Sequence, residues 1–362
     1  MKNILIIQTA SIGDAILATP VAEKLHRFYP EARISLLVKK GNESLFSGHP
    51  FLREVLTWDK SRKKYRNLLS LLLTIRKRRY DHVINLQRFA STGFLVACSG
   101  IPRRTGFDKN PFHFFYTDVI PHEIGEGIHE IDRNLRLIGN MTDPSRVMPR
   151  LYPSAADENA VIQWTAGKFY TLSPASLWFT KQYPPEKWAE LIRAMDPEST
   201  VCLLGSEEDR NLCDHVIRMS GHTRSVNLAG RLTFLQSAAL MKRARMNFSN
   251  DSAAMHLCSA VNAPVTVIYC STLPSFGFGP LSDDPAVIET PEKLSCRPCG
   301  LHGLTACPEK HFRCATTIPL ARLLARCLNS LPAAFSSSGI YPKTVNLALN
   351  LTYSDRQKWK KR

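Results

Sequence analysis

Residues 4–28 read ILIIQTASIGDAILATPVAEKLHRF, and no other stretch limits the fold as much. Four apolar residues, Ile4 to Ile7, precede a small polar loop containing Gly13. Apolar residues then recur with helical spacing at Ile16, Leu17, Val21, Leu25 and Phe28. The pattern predicts a buried strand, a tight turn and a helix, the opening of a βαβ unit. In open α/β sheets, ligands bind beyond the carboxyl ends of the strands. Asp14 stands in that position, just after Gly13 and near the helix N-terminus. Spacing alone leaves two readings open, a carboxylate facing the crevice or a plain helix cap. The loop lacks both the G-x-G-x-x-G of dinucleotide sites and the G-K-[ST] of a P-loop.

The alternation continues. Strands are expected at Arg33–Val38, Val55–Trp58 and Asp81–Leu86, the last running into Gln87 and Arg88 at the crevice edge. A further helix begins at about Ile128. Pro149, Pro153 and Ser154 break the pattern, which puts a hinge at 150–157. A second series starts with a strand at Phe169, then a helix opened by Pro185, whose fixed φ suits a first helical position. After it come a strand at Val201–Leu204, the acidic turn GSEED, a helix to about Met219 and a short strand at Ser225–Leu228. A helix at Thr233–Ala244 leads to a strand at Met246–Phe248 that ends in Ser249-Asn250-Asp251-Ser252. A helix at Ala253–Ala260 and a strand at Val265–Tyr269 complete the expected sheet. The fold class is therefore α/β, two lobes around a central cleft. The expected domains are 1–155, then 156–331 ending in a helix from Ile318 to Leu331, then a linker and basic tail at 332–362. A chain of 362 residues accommodates two domains of ordinary size.

With 44% hydrophobic and 22% charged residues, the composition is that of a soluble globular protein. No apolar run approaches a membrane span, and ILII is interrupted at once by Gln8 and Thr9. No secretion signal is read, and a cytoplasmic location is expected. The formal charge of +16 favours anionic partners. Lys60 to Arg79 surrounds the apolar LLSLLLTI with basic residues. It reads either as an amphipathic helix for anionic lipid or as a solvated face over a core stripe. No nucleic-acid module accompanies the basic patches, so nucleic acid is not an expected partner. Near the end, CRPCGLHGLTACPEKHFRC carries Cys296, Cys299, Cys307 and Cys314. Such a set can form a tetrahedral thiolate site for structural zinc, and reduced thiols packing a loop, or a catalytic cysteine, are the alternatives.

The second lobe offers two anion-binding constellations. Ser176 and nearby loop amides, followed by Lys181, suit a phosphate. Asn250-Asp251-Ser252-Ala253-Ala254-Met255-His256 runs from a strand end into a helix N-terminus, where N–H groups and the helix dipole favour a pyrophosphate.

Taken in order, ILIIQTASIGDAILATP, SPASLWFTKQYPPEKW, LLGSEED, NLAGRLT and SNDSAAMHLCSAVNAPVTVIY resemble glycosyltransferase family nine, the bacterial lipopolysaccharide heptosyltransferases. The resemblance runs from Met1 to about Cys314. It implies two Rossmann-like lobes of the glycosyltransferase B type, the first for acceptor and the second for nucleotide sugar. It also implies an ADP-heptose donor, a Kdo-lipid A inner-core acceptor, a peripheral place at the cytoplasmic face of the inner membrane, and inverting transfer with no cofactor or metal. Carried over position by position, the catalytic aspartate falls on Asp14 and the lysine on Lys181. Donor binding falls on Ser176, Glu207 or Glu208, Asp251, Ser252, Ala253 and His256, and the acceptor side on Gly13, Gln87 and Arg88. Ala253 stands where the family usually has glycine, and Asn85 where related sequences often have aspartate.

The residues suit that chemistry independently of the resemblance. Inverting transfer needs a base for the acceptor hydroxyl, which Asp14 supplies. The leaving diphosphate needs positive partners, which Lys181, His256 and the helix starting near Ser252 supply. No Asp-x-Asp occurs in the chain to suggest a metal. A same-fold transferase using a UDP- or GDP-linked sugar, or another cell-envelope glycan acceptor, is the alternative.

Overall fold

In the computed structural model, residues 2–61, 63–124 and 127–329 are described. Ile4 to Ile7 lie in strand β1 (Asn3–Gln8), where period-two alternation sends successive side chains to opposite faces. Ile4 and Ile6 pack with Ile16, Val21 and Leu25, while Leu5 and Ile7 pack with Leu68, Leu72 and Leu95. Helices therefore cover both faces, which is why the strand reads as an unbroken apolar run. The helical run after Gly13 is two helices, α1 (Ile12–Leu17) and α2 (Thr19–Phe28), with Pro20 in the first turn of the second.

The first sheet continues with β2 (Arg33–Lys39), β3 (Leu52–Trp58), helix α3 (Lys64–Arg78), β4 (His82–Asn85), α4 (Ala90–Cys98), β5 (Arg103–Phe107), β6 (Asp118–Ile120) and α5 (Glu130–Arg136). All its pairings are parallel, in the order β3-β2-β1-β4-β5-β6.

Helix α6 (Ala155–Val161) lies where a hinge was expected. Ser154 caps it through a reciprocal box with Asp157, and Arg243 pairs with Glu158 across to the second lobe at 3.0 Å. That lobe comprises β7 (Phe169–Ser173), α7 (Pro185–Arg193), β8 (Thr200–Leu203), α8 (Arg210–Ser220), β9 (Ser225–Asn227), α9 (Phe234–Arg243), β10 (Met246–Asn250), α10 (Ala253–Ala260), β11 (Val265–Tyr269), β12 (Pro285–Glu289), α11 (Arg313–Thr316) and α12 (Leu320–Asn329). The sheet does not end at β11, because β12 pairs with it from Val265↔Pro285 to Tyr269↔Glu289. Its order is β12-β11-β10-β7-β8-β9, so counted within each lobe the two sheets share one strand order. The expected helix end at 330–331, the linker and the basic tail lie outside the described residues.

In each sheet the order reverses direction between the first and fourth strands, β1 beside β4 and β7 beside β10. Loops leaving those strand ends open a crevice, which is where doubly wound sheets bind ligands. A single buried apolar cluster joins Ile16 of the first lobe to Leu240 and Met255 of the second, so the lobes share a core. Among the described residues no helix is long and apolar enough to cross a membrane.

Candidate functional site

The four loops at the two switch points carry the residues singled out by sequence, apart from Glu207 and Glu208 on the turn after β8. After β1, Ser11 caps α1, and the Asp14 carboxylate accepts hydrogen bonds from the Ser11 amide (3.1 Å) and hydroxyl. The cap reading of Asp14 holds, its carboxylate closing a reciprocal box with Ser11, and its charge also acts on Glu130 of α5. Gly13 meets the opposite lobe: a Cβ there would stand 2.7 Å from Cδ2 of His256. The helix starts at Gly13 and Ser252 thus face each other across the lobes.

Lys181 and Asp251 form an ion pair of 2.7 Å, and the hydroxyl of Thr272 donates to the same Asp251 oxygen at 2.7 Å. The amide side chain of Asn250 ties the two strand ends together, donating to the Pro174 carbonyl (2.7 Å) and accepting from the Tyr183 amide (3.0 Å). Lys181 is further positioned by Thr180, whose hydroxyl accepts from Ser271 (2.9 Å) and from the Leu304 amide (2.8 Å). The cysteine-rich loop is therefore the floor beneath Lys181, and the Cys299 amide bonds the Ser271 carbonyl at 2.9 Å.

His256 is buried, and burial, followed by the nearby His129 and Lys181, pushes its pKa down to about 3. It is neutral at pH 7, so the expectation of a positive charge at this position is corrected. The imidazole offers hydrogen bonding, and the positive charge belongs to Lys181 and the start of α10. Its Nδ1 is buried without a partner among the described residues. Ser252 occupies the cap position of α10 without a side-chain cap bond, and Ala253 follows as the first helical residue.

The remaining sites divide. Ser176 lies on the loop after β7, its carbonyl accepting from Gln182 (2.7 Å). Glu207 and Glu208 lie on the turn after β8, where both carboxylate oxygens of Glu207 are taken by Arg210 at 2.8 Å. Gln87 turns inward: it is buried and donates to Gln8, while its backbone carbonyl accepts from Asn110 (3.0 Å). Of the pair at the end of β4, only Arg88 presents its side chain to solvent, which corrects the Gln87 expectation. Asn85 is buried beneath them, donating to the Tyr116 hydroxyl at 2.8 Å.

A group that sequence reasoning missed faces Asp14 from α5. Glu130 and Arg133 are buried and paired at 2.7 Å. Burial raises the Glu130 pKa against the pull of Arg133, and the Asp14 charge adds to the rise while Arg88 lowers it. Arg133 also donates to the Phe276 carbonyl (3.3 Å), the Glu130 amide to the Gly277 carbonyl (2.8 Å), and His129 approaches the Gly279 carbonyl at 3.0 Å. This is a polar clamp between lobes. Helical spacing predicted the α5 helix, but its partner loop lies more than a hundred residues downstream.

The four cysteines of the late loop are free thiols. Burial, then the neighbouring Cys296 and Cys307, raise the Cys299 pKa, and Cys296 Sγ lies 3.9 Å from His311 Nε2. Among the described residues no three His, Cys, Asp or Glu side chains are grouped as a metal would require.

Comparison with known proteins follows the same outline. Residues 68–301 match the model of glycosyltransferase family 9 (heptosyltransferase). Lipopolysaccharide heptosyltransferase 3 of Escherichia coli K12 is 25% identical over 286 residues, 72% of this chain and 80% of that protein. Lipopolysaccharide heptosyltransferase 2 of the same strain is 24% identical over 305 residues, covering 79% and 87%. The glycosyl transferase family 9 structure from Veillonella parvula superposes with a TM-score of 0.72 at 21% identity, covering 80% of this chain and 86% of that one. The E. coli ADP-heptose lipopolysaccharide heptosyltransferase II structure gives 0.70 at 22% identity, covering 91% and 99%. The paired parallel sheets are those of the glycosyltransferase B fold, and the family match spans well over half the chain. The protein belongs to glycosyltransferase family 9, the heptosyltransferases, and is a glycosyltransferase.

Proposed function

We propose that this chain transfers heptose from ADP-heptose, with inversion, to an acceptor of the lipopolysaccharide inner core at the cytoplasmic face of the inner membrane. The observation that supports the reading most is the contact of Gly13, the neighbour of Asp14, with His256, whose imidazole feels the charge of Lys181. In this reading the second lobe holds the donor. The start of α10 and Lys181 take the diphosphate, Asp251 and Thr272 hold Lys181 in place, and neutral His256 donates or accepts a hydrogen bond. Ser176, Glu207 and Glu208 line the same sheet edge for the rest of the nucleotide sugar. Asp14 takes the proton of the acceptor hydroxyl as it attacks the anomeric carbon, while the bond to the diphosphate breaks on the opposite face. Arg88, which like Asp14 acts electrostatically on Glu130, takes the anionic acceptor. Positive charge aimed at the leaving group before reaction lowers the barrier without a divalent ion, and lobe contact excludes water from the donor.

The test is ADP release from ADP-heptose by the purified protein in EDTA, with and without Kdo-lipid A. Acceptor-dependent release is expected. No release, together with thermal stabilisation by UDP or GDP, moves the donor to another nucleotide sugar. Structural zinc at Cys296, Cys299, Cys307 and Cys314 is a separate proposal, supported by the Cys-x2-Cys spacing of the sequence alone. Metal analysis of protein purified without chelator decides it, with about one zinc per chain expected for such a closed site.

A further inference from the structure

Helices α3 and α4 leave from the ends of β3 and β4 and cover the same face of the first sheet, sharing one buried cluster. Arg76 near the end of α3 donates to the Cys98 carbonyl at the end of α4 (2.8 Å). The inner side of α3 buries Leu68, Leu71, Leu72 and Ile75. Its outer side carries a second apolar stripe at spacing four, with Tyr65, Leu69 and Leu73 exposed to 79%, 56% and 52%. Beside α4, Phe89 is exposed to 60% and Phe114 to 69%, and the Phe114 and Phe115 ring centroids lie 4.7 Å apart. A clustered apolar surface of this kind marks a contact surface, whereas scattered single residues do not.

The surrounding charge selects the partner. Between Lys60 and Thr117 the chain has thirteen Lys or Arg residues and only Asp81 and Asp108 as acids, and of the arginines Arg78 and Arg103 pair with Glu54 and Asp118 just outside this stretch. Aromatic and leucine side chains framed by cations fit an anionic bilayer, where the rings enter the headgroup region and the cations meet lipid phosphates.

We propose that this outer face of the first lobe, Tyr65-Leu69-Leu73 with Phe89, Phe114 and Phe115, docks the protein on an anionic lipid bilayer. Phe89 follows Arg88 directly, so the docking face adjoins the acceptor side of the cleft. The inference rests on the proposed function in taking the acceptor to be a lipid and the membrane face to be the place of reaction, and it adds which surface makes the contact.

The test is co-sedimentation of the full-length protein with phosphatidylglycerol–phosphatidylcholine vesicles and with pure phosphatidylcholine vesicles. Binding to the anionic vesicles, weakened by salt, is expected. The double variants Phe114→Ser/Phe115→Ser and Leu69→Glu/Leu73→Glu should each weaken it by about tenfold or more. Turnover of a delipidated, water-soluble acceptor should stay unchanged. Wild-type vesicle binding by both variants overturns the proposal. So does a loss of turnover on the soluble acceptor, or a change of oligomeric state with vesicle binding intact. Loss of vesicle binding in a protein that never releases ADP sustains the docking face and removes the proposed function.

Discussion

Asp14→Asn keeps the shape of the side chain and removes its basicity. ADP release is expected to fall by a factor on the order of 10² or more, with donor KM nearly unchanged. Full rate in that variant would remove the base assignment while leaving the family intact. Ser11→Ala deletes one of the two donors that aim the carboxylate. It should cost about 1 kcal/mol in urea unfolding, as lost caps do, and lower kcat with KM held. Lys181→Ala should instead raise donor KM as well as lower kcat, and it leaves Asp251 with Thr272 as its partner. At this scale, Asp14, Lys181, Asp251 and His256 were legible as candidates because they sit in short motifs at strand ends. Thr180, Ser271 and Thr272 were not, since small hydroxyl residues gain meaning only from what they touch.

The interlobe clamp is an element-scale feature, made by the start of α5 and the turn at 276–279. Gly277 has φ +96°, and a Cβ there would run into the Ile128 carbonyl and the Arg133 guanidinium, so the turn accepts only glycine at that contact. Arg133→Met strands Glu130 in a buried site. It should cost about 3–5 kcal/mol, the scale for breaking a buried pair, read by urea unfolding. Glu130→Gln with Arg133→Met should recover part of that loss, because no unpaired charge remains. Elements with strong apolar periodicity, such as α3 and α9, were legible in the sequence. Strands β5, β6 and β12 were not: RRTGF and PAVIE hold few apolar residues in a row and become strands by pairing with a neighbour already in place. Likewise α6 was hidden by the prolines before it, although its Ser154–Asp157 box is a start signal.

For the whole molecule, burial holds several imidazoles neutral. His49, His82, His122 and His129 are pushed down to about 4, and His256 to about 3. The unfolded chain binds these protons near pH 6.5 and the folded one does not, so stability is full above that pH and falls as pH drops toward 4. Glu23 and Glu130, with raised pKa values, act in the opposite direction but are fewer. A thermal midpoint lower by about 5 °C or more at pH 5 than at pH 7.5 is expected from scanning calorimetry. A flat profile over that range would contradict the burial of these rings. The α/β class and its two successive series of strands and helices were determined by the sequence alone, because buried parallel strands are a local pattern that hydrophobicity and spacing express directly. The tertiary structure decided the rest: the inward turn of Gln87, the neutrality of His256, the clamp from α5 and the placing of the cysteine loop beneath Lys181. Each depends on burial and on contacts between residues far apart in the chain, and neither has a signature in any single stretch.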